Sequence, residues 1–164
     1  MKIAIISDSH DNLANLKKVA SWTNHEKISL ILHCGDVCNQ DTLNQIRKIF
    51  DGEVKFVQGN MELHSENFPE VGEAKAGNKK IAFVHKPEPA QKLAESGDYD
   101  LVFYGHTHKP WEEKVPALRS LGEAKGNCRL VNPGNVAGTF YKATFAVYDS
   151  EIDKLELKIL ELLK

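Results

Sequence analysis

The sequence predicts an α/β fold in which two β-sheets stack on each other and helices cover their outer faces. Three observations carry that expectation. The first half alternates short, wholly apolar runs with stretches whose apolar residues recur every three or four positions. The second half replaces that alternation with strand-like runs separated by turns and closes on a hairpin pattern. With 41% hydrophobic and 27% charged residues in 164 positions, the chain has the composition of a packed globular unit, and residues 1–164 are expected to form one domain.

Ile3 to Ile6 is an unbroken apolar run, as in a strand buried on both faces. From Leu13 the residues Leu16, Val19 and Ala20 share one helical face, with Asp11 or Asn12 placed to cap it. Ser29 to His33 reads as a second buried strand. Asp41 opens another amphipathic stretch, Leu43, Ile46, Ile49 and Phe50, which stops at Asp51-Gly52, and Val54 to Val57 reads as a third strand. This β-α-β-α-β order calls for right-handed crossovers and a parallel sheet. Beyond it, Lys79 to Val84 reads as a strand, Ala90 to Ser96 as a short helix and Leu101 to Tyr104 as a strand. Three more strands follow, Cys128 to Val131, Ala143 to Tyr148 and Ile152 to Ile159, the last two joined as an antiparallel hairpin. These later strands are expected to make a second, largely antiparallel sheet. Gly72 to Lys79 superficially resembles a phosphate-binding loop, but Asn78 follows Gly77 where Lys should, so it reads as a turn into a strand. The echo of Gly72-Glu73-Ala74-Lys75 in Gly122-Glu123-Ala124-Lys125 indicates two similar turns, not a repeat architecture.

Composition also excludes function classes. Lys plus Arg number 21 against 23 Asp plus Glu, a net charge of -2, which lacks the basic excess of a duplex-binding protein. No apolar run approaches the roughly 20 residues of a membrane span, and Ser7-Asp8 breaks the N-terminal run before a signal-peptide core forms. Three Cys at irregular positions give no disulfide framework and suit a reducing cytosol. A cytoplasmic chain without a membrane or nucleic-acid partner is expected, and a homo-oligomer is compatible with it.

The chemistry-bearing residues sit just after the expected strands: Asp8-Ser9-His10, Gly35-Asp36, Gly59-Asn60, His85 and Gly105-His106-Thr107-His108. Carboxyl ends of parallel strands converge on one crevice, so two carboxylates, one carboxamide and four imidazoles meet at one edge. A core has no use for such a cluster, because each buried polar group costs free energy unless paired. A metal site has. Oxygen and imidazole donors without thiolate suit Mn, Fe, Zn or Ni, and seven groups exceed what one tetrahedral ion needs and suit two ions.

In order and spacing, Asp-x-His, Gly-Asp, Gly-Asn, a strand-end His and Gly-His-x-His resemble the calcineurin-like metallophosphoesterases, and the size resembles their small phosphodiesterases of the YfcE/MJ0936 type. Asn132-Pro133-Gly134 is similar to that subfamily's late Asn-Pro-Gly-Ser turn, with Asn135 in place of Ser. The resemblance implies a four-layer αββα sandwich that hydrolyses a small phosphate ester with a hydroxide bridging two divalent ions, manganese first, with nickel, zinc, iron or cobalt as alternatives. It implies that Asp8, His10 and His108 hold one ion, that Asn60, His85 and His106 hold the other, and that Asp36 bridges them. The catalytic centre is then built around Asp36, Asn60 and His85. Gly35, Gly59 and Gly105 resemble the small residues that let the backbone turn at each strand end. Two positions depart from the family pattern. Met61 stands where the phosphomonoesterase branches place an acid His, and Lys86 follows His85 where relatives commonly carry Gly. Loss of the acid favours diesters. The rival reading is a protein-binding scaffold similar to the retromer subunit Vps29, with a vestigial metal site; such scaffolds lose ligands such as the His of Asp-x-His, which here is present as His10.

The remaining candidates have simpler readings. His25 suits a helix end, and His33 reads as a hydrogen-bonded core residue. His64 lies close enough in sequence to Asn60 to be considered as a substitute acid. Cys34 reads as strand core and Cys38 as a small apolar residue. Asn12 reads as a cap or as a site residue, and Trp111 beside Pro110 as a pocket wall or ordinary packing.

Overall fold

The computed structural model describes residues 1–118 and 124–163; Gly122 and Glu123, half of the short sequence echo, lie outside them. One five-stranded sheet runs in the order β10-β9-β1-β2-β3, from β1 (Lys2–Ile6), β2 (Leu30–His33), β3 (Glu53–Phe56), β9 (Thr144–Asp149) and β10 (Lys154–Ile159). The other runs β4-β5-β6-β8-β7, from β4 (Val71–Ala76), β5 (Lys79–Val84), β6 (Leu101–Phe103), β7 (Trp111–Leu118) and β8 (Ala124–Asn132). Three α-helices, α1 (Leu13–His25), α2 (Gln40–Ile49) and α3 (Pro87–Glu95), flank the sheets, and a short 3₁₀ turn follows β10.

The unbroken apolar runs have their cause in this layering. Ala4 and Ile6 of β1 pack with Leu16 and Val19 of α1 and with Leu43 and Ile46 of α2. Ile3 and Ile5 point the other way, into a core shared with Ile81, Phe83, Phe103 and Tyr148. In β5 the alternation repeats, since Ala82 and Val84 face Ala90 and Ala94 of α3. A strand with a layer on each side has no polar face to show. Truncating a ring such as Phe83, 1% exposed between the sheets, costs about 3–5 kcal/mol.

The helix starts follow local chemistry. Asn12 caps α1 by accepting from Asn15 N at 3.1 Å. Helix α3 begins three residues before the expected Ala90, because Pro87 fits a first helical position where no N–H is needed. Among the described residues no helix is long and apolar enough to cross a membrane.

The structure corrects the second half of the reading. Its sheet is mixed rather than largely antiparallel, since β6 pairs parallel with both β5 and β8. The β9–β10 hairpin forms as expected but joins the first sheet, with β9 antiparallel to β1. Phe145 and Val147 face the helices while Ala146 and Tyr148 face the opposite sheet, so β9 needs an interior position and β10 takes the edge. Gly72 to Lys79 is not one turn: β4 and β5 form a hairpin around Gly77-Asn78, with Ala76 opposite Lys79. The inward face of β4 carries only Gly72, Ala74 and Ala76, too little apolar bulk for the period of two to stand out. The unforeseen β7 is an edge strand of charged residues interrupted by Pro116, a composition that protects a sheet edge while hiding it from pattern reading.

Candidate metal centre

All seven expected site residues meet where the C-terminal ends of β1, β2, β3, β5 and β6 converge. His108 Nε2 lies 3.3 Å from Asp8 Oδ1, and His10 Nε2 lies 3.8 Å from the same oxygen and 3.2 Å from His108 Nε2. On the other side, His85 Nε2 stands 2.7 Å and His106 Nδ1 2.9 Å from Asn60 Oδ1. Asp36 lies between: Oδ1 is 3.5 Å from His85 Nε2 and Oδ2 is 3.9 Å from His10 Nε2. Two donor groups, Asp8–His10–His108 and Asp8–Asp36–His85, each offer ligand atoms within 4.8 Å of one another.

These residues fit cations, on two counts. Asp8 Oδ1 is buried with no donor in hydrogen-bonding geometry, its near neighbours being the imidazole nitrogens of His108 and His10 at 3.3 and 3.8 Å. A buried charged oxygen so placed costs about 1–3 kcal/mol or more unless a cation or a protonated imidazole faces it. His85 Nδ1 lies 2.8 Å from the Cys34 carbonyl oxygen, which can only accept, so Nδ1 donates there and Nε2 is the nitrogen turned to the centre, 2.7 Å from Asn60 Oδ1. A carbonyl that orients the ring in this way is the usual support of a metal-binding imidazole.

The backbone is shaped for the same purpose. Asp8, His10, Asp36, His106 and His108 have φ of 50°, 40°, 60°, 68° and 59°, the left-handed region that residues with a β-carbon seldom occupy. The sharp turning is therefore done largely by the site residues themselves. Of the three expected turn glycines only Gly35 has positive φ, 92°. Gly59 and Gly105 instead permit close approach, because a β-carbon would overlap Asp36 Oδ1 in one case and Ser7 Oγ in the other.

Surrounding hydrogen bonds hold the loops. Ser7 Oγ donates to Asp8 Oδ2 at 2.5 Å and His106 N to the same oxygen at 3.0 Å. Asp36 Oδ1 accepts from Asn60 N and Met61 N at 2.8 and 2.9 Å, locking the third strand end to the second. Asn132 Nδ2 donates to Gly105 O and Thr107 Oγ1, both at 2.9 Å, and Asn135 Nδ2 to His108 O at 3.1 Å, so the Asn132-Pro133-Gly134 turn serves to brace the Gly-His-x-His loop. Burial raises the Asp8 carboxyl, but His108 and the Ser7 hydroxyl outweigh it and leave Asp8 below the usual carboxylate range.

Sequence reasoning missed Glu62. Its side chain is 3% exposed. Oε1 accepts from Asp36 N at 2.8 Å and Gly59 N at 3.1 Å, and Oε2 accepts from Cys38 N at 2.9 Å. His64 Nε2 lies 3.1 Å from Oε2, with its side chain 0% exposed against Phe68. His64 thus sits behind Glu62 and is not placed as a substitute acid. Only the position of Glu62, two residues after Asn60, could have flagged it, and an acidic residue in a loop is an unremarked event. Cys38 is buried, as expected of a small apolar residue, yet its Sγ also lies 3.6 Å from His10 Nδ1. Burial and the carboxylates of Asp11, Asp36, Glu62 and Asp8 push that thiol up to about 12.

The simpler readings hold elsewhere. His33 is fully buried, 3.0 Å from Ser9 Oγ and stacked on Phe56, and burial pushes its imidazole down to about 3. His25 is in the last turn of α1, and Cys34 is wholly buried between the sheets. Asn12 both caps α1 and donates to Ala137 O at 3.0 Å. Trp111 is half-exposed at the start of β7 with the Lys109 ammonium 5.8 Å from its ring centroid. Lys86 is exposed and lines, with Asn60, His85, Val71, Val84 and Pro89, a cavity of about 400 Å³ beside the centre.

Five strand-end loops delivering acid, amide and imidazole donors onto a two-sheet sandwich define a metallophosphoesterase architecture, and the comparisons agree. Residues 1–153 match the calcineurin-like phosphoesterase superfamily domain, and the chain belongs to that superfamily. The phosphodiesterase MJ0936 of Methanocaldococcus jannaschii is 27% identical over 98% of this chain and 100% of its own length. In fold, the chain is similar to a solved archaeal phosphodiesterase (TM-score 0.81, 24% identity, 97% of this chain and 99% of that one). It is also similar to the phosphoesterase YfcE of E. coli (0.70, 22%, 100% and 96%) and to Vps29 of Chaetomium thermophilum (0.69, 20%, 97% and 95%).

Proposed function

We propose that this chain is a metal-dependent phosphoesterase that favours phosphodiesters and binds two divalent ions, with manganese the metal of first choice. The observation that carries the proposal is the pair of donor groups around a buried, unpartnered Asp8 oxygen, with the two oxygens of Asp36 facing opposite sides. Asp8, His10 and His108 would hold one ion, Asn60, His85 and His106 the other, and Asp36 would touch both. When bound, two such ions lower the pKa of a water between them and offset charge on the phosphoryl oxygens. The chain's own part is to hold the donors at fixed spacing, to close off their rear through Ser7, Glu62 and Asn132, and to offer the Lys86 ammonium beside the centre. Three free, buried cysteines suit the reducing cytoplasm.

The diester preference rests on charge and on Met61. A diester carries one negative charge where a monoester carries two, and so brings no extra anionic oxygen to compete for the ions. Met61 is 53% exposed next to Asn60, and a thioether cannot protonate a departing alkoxide, a service that raises rates by ~10²–10⁴. His64 does not supply it, being held behind Glu62. Leaving groups that depart unaided, such as nitrophenolate, are therefore favoured. The likeness to Vps29 supports a scaffold reading as the second choice; the retained His10 and the complete set of seven donors weigh against it.

Metal-free protein reconstituted separately with Mn²⁺, Ni²⁺, Zn²⁺, Fe²⁺, Co²⁺ and Mg²⁺ should hydrolyse bis(p-nitrophenyl) phosphate faster than p-nitrophenyl phosphate, best with Mn²⁺. Met61→His should raise turnover of an alkyl monoester such as glycerol phosphate, whose alkoxide needs the proton, by about tenfold or more, and that of p-nitrophenyl phosphate much less. A wild type that prefers the monoester tenfold would overturn the reading.

A further inference from the structure

We infer that Phe140 is a stacking platform for a flat aromatic arm of the phosphate ester bound at this centre, an inference that rests on the phosphoesterase reading and narrows its substrate class. Phe140 is 89% exposed, more than any other large apolar side chain described. Its φ is 64°, a left-handed conformation that an aromatic residue adopts only when its surroundings impose it. A ring that buries almost nothing gives folding no return for that strain.

The surroundings that impose it belong to the metal centre. Ala137 N donates to Asp8 O at 3.1 Å. The buried Asn135 side chain accepts from Thr139 N at 2.9 Å and donates to Thr139 O at 3.3 Å and to His108 O at 3.1 Å. Tyr141 N then returns to Thr139 O at 2.8 Å. The loop carrying Phe140 is thus tied to the backbones of two proposed ligands, and the ring centroid stands 6.2 Å from that of His108, tilted by 41°. An aromatic ring one or two bonds beyond a phosphoryl oxygen lies within reach of such a position. Stacking tolerates many ring identities because each has a π-face, so the class is an ester with a flat aromatic arm: an aryl ester meets the short reach directly, and a nucleobase, about five bonds beyond the oxygen, meets it only when the sugar folds back. The cavity of about 400 Å³ beside Asn60, His85 and Lys86 lies next to the other donor set, which leaves room for the second arm of a diester.

The test uses phosphonates, whose P–C bond is not hydrolysed. Manganese-reconstituted protein is titrated calorimetrically with methylphosphonate, benzylphosphonate, cyclohexylmethylphosphonate and the 5′-methylenephosphonate analogue of adenosine 5′-phosphate. Wild type should bind the benzyl compound about tenfold tighter than the methyl one, with the saturated ring gaining much less. In Phe140→Ala that ratio should fall to within twofold, and Phe140→Trp should keep it; unchanged melting temperatures confirm that the exposed substitutions leave the fold intact. The adenosine compound separates the sources: a gain like benzyl's assigns flat rings in general, and no gain restricts the platform to aryl arms. An aromatic advantage absent from wild type, shared by the saturated ring, or retained in Phe140→Ala overturns the platform. Failure of every phosphonate to bind, together with no hydrolysis of any ester, overturns the phosphoesterase reading instead.

Discussion

Replacing Glu62 tests whether a residue with no expected contact to substrate holds the metal centre together. Its carboxylate, 3% exposed, is the acceptor for the N–H groups of Asp36, Gly59 and Cys38 at 2.8, 3.1 and 2.9 Å. Bonds to a charged acceptor contribute about 1.5–3 kcal/mol each. In Glu62→Ala three donors lose that acceptor at once, but water entering the vacated volume recovers part of the loss, so a destabilisation of about 3–5 kcal/mol is expected. That is a large share of the 5–15 kcal/mol typical of a folded protein. Glu62→Gln keeps one acceptor oxygen and turns an NH₂ toward at least one N–H, which should cost about 2 kcal/mol. Urea unfolding of the metal-free proteins measures both without the contribution of bound ions. Ion content after reconstitution should fall in the same order, because Asp36 and the Asn60 loop lose their common anchor. An alanine variant within 1 kcal/mol of wild type and with full ion content would refute the reasoning.

Two further outcomes follow from the same geometry. Asp36→Asn should abolish hydrolysis and lower ion content, measured by atomic absorption, while circular dichroism stays that of wild type; a variant retaining both ions and normal turnover ends the bridging assignment. His33, held at about 3 by burial against about 6.5 in an unfolded chain, binds its proton only on unfolding over that interval, so its share of stability is present above pH 6.5 and is lost as pH falls. Wild type should lose up to about 1.4 kcal/mol per pH unit more than His33→Gln between pH 6 and 4, read from urea unfolding at each pH, and parallel pH profiles would contradict this.

The β1, β2 and β5 runs and the α1 and α2 spacings were legible because each element has a single periodicity with bulky side chains on it. So was the meeting of seven polar side chains at one edge, because polar residues directly after buried strands stand out against their neighbours. Strand β4 was not, since an inward face of Gly72, Ala74 and Ala76 carries little apolar signal, and β7 hid behind the charges and Pro116 of an edge. The pairing of β9 with β1 joins residues about 145 apart, and a hairpin pattern names its own two strands without naming the sheet they enter. Glu62 escaped for another reason: its importance lies in three backbone N–H groups, and these carry no sequence letter.

The left-handed backbone at Asp8, His10, Asp36, His106 and His108 is held by the chain's own hydrogen bonds, with Asp8 N donating to Gly35 O and His10 N to Asp36 O at 3.1 Å, and Asp11 N to Val37 O at 3.2 Å. Loops braced against one another in this way have little freedom to follow the size of a cation. It follows that exchange of one metal for another should leave the loops where they are, and that discrimination among metals should be set by donor chemistry and fixed spacing rather than by rearrangement around each ion.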